Sequence, residues 1–184
     1  MSHLEDAQNR AIALNLEIDQ EADAHQLDEP GMFLTHIRSL LLSNEQQEVI
    51  NNIHTLLKKT ENRDMVYIVL GPQIDKGPSD GHFKFDTGAR LSFGITLRRQ
   101  RKKAALHSYR FHYAFPDGHS PAFIRFDLSP KGDRAHLEES RCHIHPGLSK
   151  TRIPSRVLSP IEVLDRVFYV LDKCKCTLHR DGDL

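Results

Sequence analysis

From Tyr109 to Phe115 aromatic residues take every second position, with Arg110, His112 and Ala114 between them. Side chains of an extended chain alternate between faces, so this period of two specifies a half-buried β-strand. A lone strand buries nothing, so it also demands a sheet to join. Residues 65–70, Met-Val-Tyr-Ile-Val-Leu, form a second strand, stopped by Gly71-Pro72. Further strands are expected over 90–97, 106–115 and 122–128, with a short extended segment at 141–146. The turn Pro116-Asp117-Gly118-His119 folds the strands before and after it into a hairpin. Residues 73–88, rich in Gly, Pro, Asp and Ser, read as a long loop.

The N-terminal third follows a different period. Ala11, Ala13, Leu14 and Leu16 lie in a glycine-free acidic stretch that ends at Pro30-Gly31. Phe33, Leu34, Ile37, Leu40 and Leu41 recur at helical spacing. Ser43 and Gln46 have capping-box spacing, ahead of the stripe Val49, Ile50, Ile53, Leu56 and Leu57, which runs to Lys58-Lys59. Near the C-terminus, Ser159-Pro160-Ile161-Glu162 is a helix start, with Ser as N-cap, Pro at the first helical position and Glu three residues after the cap. The fold class expected is α+β: an antiparallel sheet of four to five strands packed by helices, with a helical N-terminal extension. The division expected is 1–62, the extension with its acidic arm, and 63–184, the sheet domain. The apolar helical stripes serve either the core or a homodimer face.

Among 184 residues, 25 Lys and Arg balance 25 Asp and Glu, which hides a segregation. Residues 1–30 hold eight acids against Arg10 alone; residues 88–116 hold seven bases and no acid. Fields act locally, over roughly 8–10 Å at physiological salt, so the basic stretch can hold phosphates while the acidic arm competes for it. The longest apolar runs fall short of the ~18 residues that span a bilayer, so no membrane partner is expected. The N-terminus has no secretory pattern, and three cysteines suit a reducing cytoplasm better than a disulfide framework.

Chemistry concentrates in Arg125, Asp127, His136, Arg141, His143 and His145. On strands Arg125 and Asp127 share a face, as do Arg141, His143 and His145, opposite Cys142 and Ile144. Two imidazoles two residues apart can bind one divalent metal or work as an acid–base pair around a phosphate. Adjacent arginines supply planar forks for phosphate oxygens. The bland alternative is a polar strand edge. Arg98, Arg99, Arg101, Lys102 and Lys103 read as a basic hairpin tip, which either guides a nucleic-acid backbone or is simply solvated. The alternating aromatics belong to the core or, if exposed, to base stacking. Cys174, Cys176 and His179 lack a fourth zinc ligand within reach, and Gly71 to Ser79 fails the phosphate-loop pattern.

These pieces carry a resemblance. Ser108-Tyr109-Arg110-Phe111-His112-Tyr113, Ile124-Arg125-Phe126-Asp127, Lys131-Gly132-Asp133-Arg134-Ala135-His136 and the helix start at Ser159 resemble, in kind and order, the TumE-like toxins of bacterial toxin–antitoxin modules. The likeness covers about residues 109–171, a third of the chain. The family's Asp-His-x-His spacing becomes Asp133-Arg134-Ala135-His136, one His short, with His143-Ile144-His145 following. The N-terminal third is an addition to the compact family domain. The resemblance implies a cytoplasmic, growth-inhibiting protein paired with an antitoxin.

The function expected is therefore an RNA-directed toxin, a ribonuclease that needs no metal or other cofactor. His143 and His145 would be its general acid and base, with His136 a further one. Arg125 and Arg141 would clamp phosphate, and Asp127 would orient a histidine. The alternative is a non-enzymatic module that docks a protein partner, with the histidines structural.

Overall fold

The computed structural model describes residues 3–27, 29–44, 51–71, 81–101, 103–132, 140–148 and 150–172. Among them one antiparallel sheet of nine strands dominates. Helix α1 (His3–Ala24) leads into β1 (Gln26–Leu27), then α2 (Pro30–Ser43) and the single turn α3 (Ile53–Leu56). The hairpin β2 (Leu57–Asn62) and β3 (Met65–Leu70) follows, then β4 (Phe83–Lys84) and the long pair β5 (Arg90–Gln100) and β6 (Lys103–Ala114). The chain continues through β7 (Phe123–Leu128), β8 (Cys142–Pro146) and β9 (Ile153–Pro154) to α4 (Pro160–Arg166) and a π-helical turn, Val167–Leu171. The strand order is β2-β3-β5-β6-β7-β8-β9, with β1 beside β6 and β4 beside β5. β2 and β9 are the edges.

The α+β class is as expected, but the sheet is larger than four to five strands. β1, β4 and β9 are two residues each, too short to show any alternation. β2 comes from residues expected to be helical. The apolar stripe of Ile53, Leu56 and Leu57 reads as helix, yet only one turn forms before Leu57–Asn62 pairs with β3 along its whole length. Tertiary pairing there overrides a weak local preference. The expected division at residues 62 and 63 falls at the tip of this hairpin. The capping box expected at Ser43 and the stripe residues Val49 and Ile50 lie partly or wholly outside the described residues.

The alternation of β6 decides the core. Tyr109, Phe111 and Tyr113 are buried with Leu91, Phe93 and Ile95 of β5, Phe126 and Leu128 of β7, and the apolar faces of α1, α2 and α4. Base stacking by these three rings is thereby excluded: they are core. The expected loop 73–88 contributes too, since Phe83 and Phe85 are buried and meet Phe168 of the π-helical turn at centroid distances of 5.7 and 5.6 Å. Asn51, buried beside β4, donates its amide to the Lys84 carbonyl and accepts from the Lys84 N–H, standing in for a strand neighbour. The helix start at Ser159 forms as expected, with both hydrogen bonds of the capping box present.

Candidate functional site

The face opposite this core carries the polar residues, and strand register arranges them in two rows. His112 of β6, Arg125 of β7 and His145 of β8 lie side by side. Arg110, Asp127 and His143 form the next row. Cross-strand neighbours on one face stand about 4.5–5.5 Å apart at Cβ, so the rows place two carboxylate oxygens among four or five nitrogen-bearing groups. The geometry follows from three local periods of two, each with its apolar members turned to the core.

At the centre is Asp127, 5% exposed, with both neighbouring imidazoles equally withdrawn: His143 is 3% exposed and His145 0%. Oδ2 of Asp127 lies 3.2 Å from Nε2 of His145 and 3.6 Å from Nε2 of His143. The Arg125 Nε donates to the same Oδ2 at 2.8 Å, while an Arg125 Nη donates to His145 Nε2 at 2.7 Å. Arg110, half-exposed, approaches Oδ1 at 3.5 Å. The far nitrogen of one ring is also fixed. His143 Nδ1 lies 3.0 Å from the Ser140 carbonyl and donates to it. His145 Nδ1 is buried without a hydrogen-bond partner among the described residues. A guanidinium can only donate, so His145 accepts on Nε2 and carries its proton on Nδ1.

Burial alone would raise the Asp127 carboxyl above its ordinary range. The hydrogen bond from His143 and the charges of Arg125 and Arg110 outweigh it, so the pKa is lowered and the group is ionised. Burial, then the Arg125 charge, lowers His145 and keeps it neutral. His112 is pushed down to about 4 by burial first and by Arg125 second. Ser92 of β5, in register with His112, buries its Oγ without a hydrogen-bond partner among the described residues.

The structure thus brings together Arg125, Asp127, His143 and His145 and adds Arg110 and His112, which the sequence reading left out. Their signal was present: if Tyr109, Phe111 and Tyr113 face the core, Arg110 and His112 face the other way, towards the hairpin partner that carries Arg125 and Asp127. Arg141 does not join them. It precedes β8, so strand alternation does not reach it, and its guanidinium pairs with Asp19 of α1 and donates to the Ser129 and His107 carbonyls. The structure therefore does not bring Arg141 together with the histidines beside which it was expected. His136, Cys174, Cys176 and His179 lie outside the described residues.

The basic tip is where expected. Arg98 and Arg99 are exposed at the end of β5, Arg101 is in the turn, and Lys103 opens β6; Lys102 lies outside the described residues. Two of the charges are shared, Arg98 with Asp64 at 3.8 Å and Arg99 with Glu61 at 3.0 Å. Arg98 also lines a cleft of about 210 Å³ with Lys131, Arg141 and the acidic Asp19 and Asp23 of α1. Among the described residues no helix is long and apolar enough to cross a membrane. Comparisons with family models, curated proteins and solved structures found no match to this chain.

Proposed function

We propose that this chain is a toxin-like cytoplasmic ribonuclease that cleaves RNA by acid–base catalysis at the two polar rows. The observation that carries the reading is the convergence of His143, His145 and Arg125 on Asp127, each within 3.6 Å of its Oδ2, on the sheet face away from the core. Arg125 is the hinge of the mechanism. Its guanidinium now caps His145 and Asp127, and a substrate phosphate offers it two better-charged acceptors. Once Arg125 turns to the phosphate, the lone pair on His145 Nε2 is uncovered and can take the proton of a ribose 2′-hydroxyl. The 2′-oxygen then bonds to phosphorus, the bond to the 5′-oxygen breaks, and His143 protonates that leaving oxygen. Asp127 holds the two imidazoles in place. Arg110, which faces Asp127, supplies the second positive charge, and the tip around Arg101 tracks the backbone. The resemblance to TumE-like toxins supports the same reading and adds a neutralising antitoxin as partner.

A second reading has its own support. Both imidazoles are buried and already hold protein partners, as structural histidines are, while α1 exposes Ile12 and Leu16 one turn apart. This favours a module that docks a protein partner or a second copy. Purified protein incubated with labelled total RNA, with and without chelator, beside the His143→Ala/His145→Ala variant, separates the two. Cleavage that survives chelation and vanishes in a folded variant supports the ribonuclease. No cleavage in any lane supports docking, and cleavage lost on chelation overturns the metal-free chemistry.

A further inference from the structure

Two features of the Asp127 cluster are not explained by acid–base work. The first is which nitrogens point inward. The His143 ring gives its other nitrogen to the Ser140 carbonyl, and Arg125, by donating to His145 Nε2, leaves the proton of His145 on the outer Nδ1. Both Nε2 atoms are thereby aimed at one carboxylate oxygen. A ring whose outer N–H is tied to a carbonyl is the arrangement that orients a metal-ligating histidine and raises its basicity. The second feature is spacing. One ligand atom from each of Asp127, His143 and His145 lies within 4.8 Å of the other two. Ligand atoms about 2.1 Å from one tetrahedral ion stand roughly 3.4 Å apart, so 3.2 and 3.6 Å already fit and only the widest pair must close.

From this juxtaposition we infer that Asp127, His143 and His145 form a binding site for a borderline divalent transition-metal ion of the zinc type, with the Arg125 guanidinium as its built-in competitor. Two imidazoles and one carboxylate suit Zn²⁺ or Co²⁺; Mg²⁺ and Ca²⁺ prefer all-oxygen shells. Arg125 lies against both Asp127 Oδ2 and His145 Nε2, so it neutralises the carboxylate and blocks two of the three ligand atoms. Its side chain is 18% exposed, at the rim of an otherwise closed cluster, so it can leave without unfolding the strand. Arg110, against the other oxygen of Asp127, stays as the outer partner that fixes the carboxylate.

The site rests on this geometry and not on the RNA reading. The two do exclude one another in time, because an ion on both Nε2 atoms leaves neither imidazole a lone pair for proton transfer. Loading with metal therefore silences the proposed ribonuclease.

The test needs no RNA. The full chain, with its histidines labelled with ¹⁵N, is titrated with Zn²⁺ while the imidazole nitrogens are followed by NMR. In parallel, Co²⁺ affinity is read from its visible absorption bands. One equivalent of Zn²⁺ is expected to move two Nε2 resonances while the two Nδ1 nitrogens stay protonated. Arg125→Met is expected to bind Co²⁺ about tenfold or more tighter, since the competing cation is gone. Asp127→Asn is expected to weaken binding by about 100-fold. Zn²⁺ that leaves these resonances unmoved overturns the proposal, and so does an Arg125→Met variant that binds no tighter. Because Arg125→Met and the NMR readout keep all three ligands, the outcome stands even if Asp127→Asn fails to fold. Metal binding without RNA cleavage in any lane leaves this site intact and removes only the ribonuclease.

Discussion

Asp19 of α1 and Arg141, just before β8, form an ion pair almost withdrawn from solvent, their side chains 13% and 7% exposed. Around it Asn15 accepts from the Arg141 N–H, Lys131 reaches the other oxygen of Asp19, and Glu21 accepts from the Val157 N–H. The acidic arm is therefore bound down on the segments that flank β8, as well as packed into the core through Ile18 and Ala22. Removing one member of such a pair leaves a buried charge. Asp19→Ala is expected to lose about 3 kcal/mol of stability, and Asp19→Asn, which keeps an acceptor, clearly less. Urea denaturation with an unchanged slope is the check; equal losses in the two variants would show that the charge is not what matters.

Stability should also fall with mild acid. His112, His82 and His107 all have lowered pKa values, each chiefly through burial, and His112 reaches about 4. A histidine kept neutral in the fold stabilises it fully above its ordinary value of 6.5, and that contribution is lost as pH falls towards the folded value. The His112 share is about 2 kcal/mol between pH 7 and pH 5. His112→Phe keeps the ring contact with Phe123 and removes the proton site. Its urea midpoint should depend less on pH than that of the parent, and an unchanged dependence would place the effect elsewhere.

Gly147 turns the chain directly after β8 at φ +78°, where a Cβ would stand 2.5 Å from the Cβ of Pro121. Both the backbone angle and the contact oppose any side chain. Gly147→Ala is expected to cost about 2 kcal/mol and to displace the end of β8, where His145 sits two residues before the turn. The imidazole signals of His145 should shift while those of His143 hold, a pattern that a general loosening of the sheet would not give.

If RNA is the ligand, its affinity must depend on salt. Each phosphate neutralised on a single strand contributes about 0.7 to the slope of log affinity against log salt. Arg98→Ala/Arg99→Ala/Arg101→Ala is expected to lower that slope by about 1 to 2, since Asp64 and Glu61 already share two of these charges. Asp23→Asn, in the cleft with Arg98, should raise affinity at low salt. A filter-binding series across salt concentrations reads both, and a slope unchanged in the triple variant removes the tip from the interface.

Much of this sheet was legible because its central strands put apolar residues on one face and polar ones on the other. The alternation of Tyr109, Phe111 and Tyr113, and the Ser159 capping signal, needed nothing beyond nearest neighbours. Arg125 with Asp127, and His143 with His145, could each be put on one face by the same rule. That the two pairs meet was not legible, because the register of β7 against β8 is set across an intervening segment. The fate of Arg141 was further out of reach: its partner Asp19 is 122 residues away, on a helix whose acidic residues all look alike in sequence. β2 was misread because Lys58, Thr60 and Glu61 carry no strand pattern; they become a strand only because β3 offers an edge.

That same β2 has a bearing on how copies of the chain can meet. Past Leu57 its residues are mostly exposed, with charged Lys58 and Glu61 on opposite faces, while the opposite margin of the sheet ends in the two-residue β9 and Pro154, which has no N–H to offer. Neither margin is a good template for main-chain pairing. Among the described residues these two margins are therefore poor routes for edgewise polymerisation, whereas Ile12 and Leu16 of α1 are exposed apolar side chains.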